Sequence, residues 1–301
     1  MLEYRLAELN GEIEQDMHQL IERCERAYAE QIVQAADLLS ATSDDCPFIL
    51  LSGPSGSGKT TTALRIEQLL EDWRYEMHTI SLDHYYLPDS TPDMPVDDAG
   101  NPDYESPYRL DIELLHEQLA RMLNMQPVEV PRFSFSTQSR KQGKSVHRKR
   151  GEFVLIEGIH TLNPEVIAPI SQAATRLFVN IEWTLVDGEQ RLPPERQRLM
   201  RRLVRDRLFR ACAYEETIGR FESVLHGETK YIYPYRSQAA MQIDSFLPYE
   251  LGVYKGYLAE SAHELPSDIK AFIERVLPVD WALSPDNSIV REVTGNSVLV
   301  Y

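Results

Sequence analysis

Apolar residues along the first part of the chain recur at three- and four-residue steps: Leu2, Leu6, Leu9, Ile13, Met17, Leu20, Cys24, Tyr28, Ile32, Ala35 and Leu39. This period predicts amphipathic helix over residues 2–39, with Asn10-Gly11 as a break between two helices. The apolar stripe suits packing on the chain's own core; a dimerising coiled coil with a second copy is the other reading. The polar run Ser40-Ala41-Thr42-Ser43-Asp44-Asp45 ends this segment. The expected organisation is a helical extension over 1–45 and a main domain over 46–301.

Beyond that run, short apolar stretches alternate with helical ones. Residues 48–51, 77–82, 153–156 and 177–181 read as buried strands. Residues 59–70, 110–123, 195–210, 215–225, 249–260 and 267–276 read as helices, with Asp111 and Glu113 in the first turn of the second. The alternation predicts an α/β fold, a mainly parallel sheet with helices on both faces. Ligands in such folds bind at the carboxyl ends of the strands. The proline-rich stretch Pro88–Pro107 reads as a long loop that closes over the substrate side and excludes water. Tyr231, Tyr233 and Tyr235 alternate around Pro234 like a strand or extended loop, packed into the core.

At the first strand end, Gly53-Pro54-Ser55-Gly56-Ser57-Gly58-Lys59-Thr60 matches G-x-x-x-x-G-K-[ST] at every position. A strand enters the loop and a helix leaves it, beginning Lys59-Thr60-Thr61, and residues 53–61 are expected to bind the nucleotide. Glycines at 53, 56 and 58 let backbone N–H groups converge on phosphate oxygens, and the helix N-terminus adds partial positive charge. Lys59 is expected to reach the β- and γ-phosphates, and Thr60 to supply a hydroxyl ligand to Mg²⁺. The motif fixes the nucleotide end and leaves GTPases, ATP motors and small-molecule kinases all open.

Two further strand ends carry acids. Glu157 closes Phe153-Val154-Leu155-Ile156, where it either acts on Mg²⁺ or faces solvent. Asp83 follows Thr79-Ile80-Ser81-Leu82, as an acceptor-side base or as a simple cap. His160, three residues after Glu157, has a substrate-contacting and a structural reading.

Composition narrows the ligand. Hydrophobic residues at 43% and charged residues at 26% are those of a globular protein, and no apolar run approaches the roughly 20 residues of a membrane span. The N-terminus MLEYRLAELNGEIEQ predicts no secretory signal. Cys24, Cys46 and Cys212 are scattered, which implies reduced thiols in a cytoplasm. A net charge of −16 argues against general binding to nucleic acid or anionic membrane. Arginine is nevertheless concentrated at 191, 196, 198, 201, 202, 205, 207 and 210, and basic residues again from Arg132 through Arg140, Lys141 and Lys144 to Arg148, Lys149 and Arg150. Such clusters suit a small, highly charged ligand. On a helix, Leu199, Met200, Leu203, Val204 and Leu208 form an inward stripe, while Arg198, Arg201, Arg202 and Arg205 point elsewhere, as a solvated face or a lid.

Taken in order, GPSGSGKTT (53–61), SLDHYY (81–86), NPDYESPYRLDIELL (101–115), VPRFSFSTQSR (130–140), VLIEGIHTLNP (154–164), RLMRRLVRDRLFR (198–210), AYEETI (213–218) and NSIVREVTGNS (287–297) resemble the uridine kinase/phosphoribulokinase family of P-loop kinases. The resemblance is nearest to the longer bacterial uridine kinase-like nucleoside kinases and covers residues 20 to 300. It implies a P-loop NTPase fold, with a substrate-side loop and lid region at 84–150 and arginine-rich lid helices at 195–226. It makes Asp83 the general base and Glu157 the Mg²⁺-associated acid. Tyr86 and Glu105 fall where the family contacts the sugar, and Arg202, Arg205 and Arg210 on the arginines that hold substrate or cover the transferring phosphate. Phe133 and Gln138 stand where the uridine kinase pattern has a tyrosine and a histidine near the pyrimidine. Asp83-His84 replaces an aspartyl pair, and Cys212 a common arginine.

The implied activity is ATP- and Mg²⁺-dependent phosphorylation of the 5′-hydroxyl of a ribonucleoside. A phosphoribulokinase-type sugar or sugar-phosphate kinase is the alternative, with Arg132 and Arg140 holding an acceptor phosphate. A nucleotide-binding regulatory module with a partner on its N-terminal helices is a third reading.

Overall fold

The computed structural model describes residues 2–97, 100–134 and 137–299, so residues 135 and 136 of the segment VPRFSFSTQSR lie outside the described residues. The chain opens with a short strand, β1 (Leu2–Arg5), and a long bent helix, α1 (Leu6–Ala41). The alternation follows as β2 (Phe48–Ser52), α2 (Lys59–Asp72), β3 (Met77–Ser81) and α3 (Ile112–Leu123). A hairpin, β4 (Val128–Ser134) and β5 (Ser139–Val146), precedes β6 (Phe153–Glu157), β7 (Ala174–Asn180), β8 (Trp183–Asp187) and β9 (Gln190–Leu192). Then come α4 (Pro194–Phe209), α5 (Tyr214–Tyr231), β10 (Met241–Asp244), α6 (Glu250–Leu258), α7 (Ser267–Arg275) and α8 (Ile289–Thr294).

All four apolar runs read from the sequence enter one parallel sheet, in the order β10-β7-β2-β6-β3. Successive residues of a strand face opposite ways, and the core divides accordingly. Ile49, Leu51 and Leu155 pack with α1, α2 and the C-terminal helices; Phe48, Leu50, Val154 and Ile156 pack with α3 and the hairpin. The carboxyl ends of β2, β3 and β6 therefore open on one side, where the site lies.

The N-terminal stripe packs on this core: Leu9, Ala35, Ala36 and Leu39 are fully buried. Its interruption falls at Asp16, not at Asn10-Gly11. Asp16 has φ −163° and ψ 94°, and its carboxylate accepts the Gln19 N–H at 3.0 Å, capping the second half of the helix. Asn10 instead ties α1 to the end of α7, donating to the Arg275 carbonyl and accepting the Leu277 N–H. Residues 2–5 are strand rather than helix, because they pair in parallel with Trp183–Val186. The Tyr231–Tyr235 stretch is also corrected. Tyr231 ends α5, and Tyr233–Gln238 is a 3₁₀ helix.

Leu9 is buried in the same cluster as Ile49 and Leu51. Leu9→Ala should lower the unfolding free energy by about 2–5 kcal/mol in a single urea transition. A separate early transition for the N-terminal helix would contradict the shared core.

Candidate active site

β2 delivers the chain into the glycine loop, and close packing explains the glycines. A Cβ on Gly53 would lie 2.1 Å from the Val179 carbonyl oxygen. Gly58, at φ +87°, would push a Cβ to 2.8 Å from Ile289 of α8. Within the loop, the Ser57 N–H and the Lys59 ammonium both donate to the Pro54 carbonyl, at 3.2 and 3.1 Å. Burial lowers the Lys59 pKa, and the carboxylates of Glu157, Asp83, Glu292 and Glu228 pull it back up. Thr60 is partly exposed beside Lys59. Thr61 is fully buried and donates its N–H and its hydroxyl to Glu292, so that hydroxyl is directed at α8.

Two acids converge on Lys59 from the neighbouring strand ends. Glu157 pairs in register with Ser81 across β6 and β3. It is buried, and its pKa is raised to about 7 by that burial and by Asp83, against the pull of Lys59 and a hydrogen bond to Ser81. Asp83 sits in the 3₁₀ turn Leu82–Tyr85, which Ser81 caps by accepting the Asp83 N–H at 3.3 Å. The Asp83 side chain reaches solvent but is enclosed by the cleft walls. Desolvation by those walls raises its pKa, and Lys59, His84, Arg210 and Arg205 oppose the rise. Lys59, Asp83, Glu157, Arg205 and Arg210 thus share one electrostatic neighbourhood.

The arginine helix differs from its sequence reading. Arg198 and Arg201 are among the most buried side chains, whereas Leu208 is 44% exposed. Arg198 donates to both Glu228 oxygens, at 2.6 and 2.7 Å, and to the Ser55 carbonyl at 2.8 Å. Arg201 makes the same kind of bridge one turn on, to Glu250, to Ser245 and to the Gly56 carbonyl. Buried acids on α5 and α6 allow these charges inside. Arg202 lies over the loop, donating to the Ser55 hydroxyl at 2.8 Å. Arg205 and Arg210 are both held by Asp206, at 3.2 and 3.4 Å, and their charges act on Asp83.

On the acceptor side, Glu105 approaches α5 so closely that a Cβ on Gly227 would meet its Cβ at 2.2 Å. Its pKa is raised to about 7, first by burial, against the attraction of Arg202 and Lys59. Tyr86 and Phe133 pack together with ring centroids 6.1 Å apart. Gln138 is exposed in the hairpin turn, at φ +48°. Arg140 bonds Asp111 at 2.7 Å and the carbonyls of Tyr85 and Tyr86. His160 is buried edge-on to Tyr231, and burial lowers its pKa to about 4. The long loop is tied down where Tyr231 donates to Asp103 at 2.7 Å and where Arg109 pairs with Asp89.

Glu228, Glu250, Glu292 and Asp206 shape this site and were not singled out from the sequence. The interruption of the arginine run by Asp206 was the one local signal. The other three act on partners 30 to 231 residues away.

Comparison with known proteins places the chain in a family. The model of the Phosphoribulokinase / Uridine kinase family matches residues 48–249. A uridine kinase of Lactobacillus johnsonii is 29% identical over 177 residues, covering 58% of this chain and 75% of that protein. A uridine kinase of Staphylococcus aureus is 26% identical over 175 residues, with the same coverage of each. The solved structure of a candidate fructose transport system kinase from Silicibacter sp. TM1040 superposes with a TM-score of 0.54 at 18% identity, over 70% of this chain and 98% of that one. The chain belongs to the phosphoribulokinase/uridine kinase family and is an ATP-dependent phosphotransferase with an alcohol acceptor.

Proposed function

We propose that this enzyme transfers the γ-phosphate of ATP to the 5′-hydroxyl of a ribonucleoside, with Mg²⁺ as cofactor. The observation that carries the reading is Asp83, a solvent-reaching carboxylate at the end of β3 within the electrostatic reach of Lys59, Arg205 and Arg210. Its raised pKa suits a group that accepts the acceptor hydroxyl proton as transfer proceeds. Arg205 and Arg210, both oriented by Asp206, neutralise charge on the transferring group. Glu105, Tyr86 and Phe133 line the acceptor side, and the relatives described as uridine kinases support a nucleoside there. A sugar-phosphate acceptor is less well supported, since Arg140 is occupied by Asp111 and two backbone carbonyls. A base at Asp83 also has no purpose in a nucleotide-binding regulatory module. Cys24, Cys46 and Cys212 are unbridged, and no helix among the described residues is long and apolar enough to cross a membrane, which supports a cytoplasmic setting.

The residues present fit a magnesium ion. Glu157 and Asp83 repel one another in the cleft, and a cation relieves that repulsion. Among the described residues no group of three His, Cys, Asp or Glu side chains could hold a metal by itself. Thr60 and Glu157 would therefore hold it jointly with phosphate oxygens, the usual manner for Mg²⁺. When bound, it supplies neutralisation of the β- and γ-phosphate charge.

Incubation with ATP, magnesium and a panel of nucleosides and sugar phosphates, read by mass, should yield a nucleoside 5′-monophosphate. A phosphorylated sugar phosphate with no nucleotide product would sink the acceptor assignment. Asp83→Asn should lower kcat by about 10²–10⁴-fold with ATP affinity preserved; near-normal turnover would remove Asp83 as the base.

Glu157 makes stability pH-dependent. Its folded pKa, about 7, lies above its ordinary 4.5, so the native state holds more protons between those values. That contribution is fully present below pH 4.5 and is lost as pH rises through 7. Melting curves without nucleotide or metal should show Tm falling across this window, less steeply in Glu157→Gln; identical slopes would contradict the assignment.

A further inference from the structure

The family match spans residues 48–249, and the two segments outside it meet behind the phosphate loop. From the C-terminal side, Glu292 of α8 accepts both the N–H and the hydroxyl of Thr61, in the first turn of α2. Ile289, one turn earlier on α8, packs against Gly58. From the N-terminal side, the Tyr28 hydroxyl of α1 bonds Thr62 at 2.6 Å, and Glu25 lies 3.7 Å from Arg65. The two segments also bond to each other. Glu25 accepts the Ser288 hydroxyl at 2.5 Å, beside that of Tyr249, the last residue of the matched span, at 2.6 Å, and Ser288 caps α8 by accepting the Val290 N–H at 3.1 Å.

The first N–H groups of a helix have no partner within it, and those of α2 follow directly on the phosphate loop. Here the Thr61 N–H is taken by a carboxylate from behind. The N–H contact is long, at 3.4 Å, and the close, charge-assisted bond is the one from the Thr61 hydroxyl. Together they fix the rotation of the turn that carries Lys59 and Thr60.

We propose that Glu292 is a positioning residue for the nucleotide: through its two hydrogen bonds to Thr61 it holds the first turn of α2 in the triphosphate-binding geometry, as part of a brace that α1 completes through Tyr28 and Glu25. This goes beyond the acceptor assignment and depends only on ATP use, so ADP binding by calorimetry tests it whichever alcohol is phosphorylated.

Glu292→Ala should raise the Kd for ADP and the KM for ATP about tenfold, the effect of losing charge-assisted hydrogen bonds, with the KM for the acceptor unchanged. Glu292→Gln retains a carbonyl acceptor for Thr61 and should restore ADP affinity to within about threefold of wild type. Wild-type affinity in Glu292→Ala, or equal losses in the two variants, would overturn the proposal. If Glu292→Ala does not fold, Thr61→Val and Thr61→Ser decide it. Val removes the hydroxyl donor and should weaken ADP binding severalfold, while Ser keeps it and should not; equal affinities would again overturn the proposal.

Discussion

One buried ion pair sets the geometry on which the site depends. Arg198 and Glu228 are wholly inaccessible to solvent, and between them they hold a single residue of the phosphate loop. Glu228 accepts the Ser55 N–H at 3.2 Å while Arg198 donates to the Ser55 carbonyl. An isolated charge at that depth would cost several kcal/mol, and either partner alone would be such a charge. The pair therefore locks α4, α5 and the loop into one arrangement, and Arg201 with Glu250 and the Gly56 carbonyl extends the lock by a turn. The exposed chemistry follows from the buried one. With Arg198 and Arg201 anchored below, Arg202 lies over the loop on the Ser55 hydroxyl, and Arg205 is held by Asp206.

The charge distribution has the same logic on a larger scale. An acidic protein gathers Lys59, Arg202, Arg205 and Arg210 in one electrostatic neighbourhood, and sets Asp83, Glu157 and Glu105 against them. Burial pushes the carboxyl pKa values up and those of Lys59, Arg202 and Arg210 down, so these six groups are under-solvated. Such a cleft gains from a ligand that brings both negative phosphates and a positive metal ion.

Local features were legible in the sequence, because their causes are local. The glycine loop, the four apolar strands and the α4 stripe through Leu199, Met200, Leu203 and Val204 follow from steric and periodic rules that a few residues satisfy. Non-local pairing hid the rest. Nothing near Leu2–Arg5 reveals that Trp183–Val186 will pair with it, and the antiparallel hairpin of β4 and β5 carries too many polar residues to read as strands. Arg198 and Arg201 look like surface because arginine usually is; their burial requires Glu228 and Glu250, which lie on other helices. Asp16 breaks α1 by capping, a role that Asn10-Gly11 mimics in composition but not in contacts.

The buried pair serves the loop and is not needed merely to complete the fold. Replacing both partners together, Arg198→Met with Glu228→Leu, separates the two roles, since removing both charges at once leaves no unpaired ion. The account predicts a double variant with near wild-type stability and a Kd for ADP at least about tenfold higher, a loss of roughly 1.4 kcal/mol. Unchanged ADP affinity in a folded double variant would contradict it.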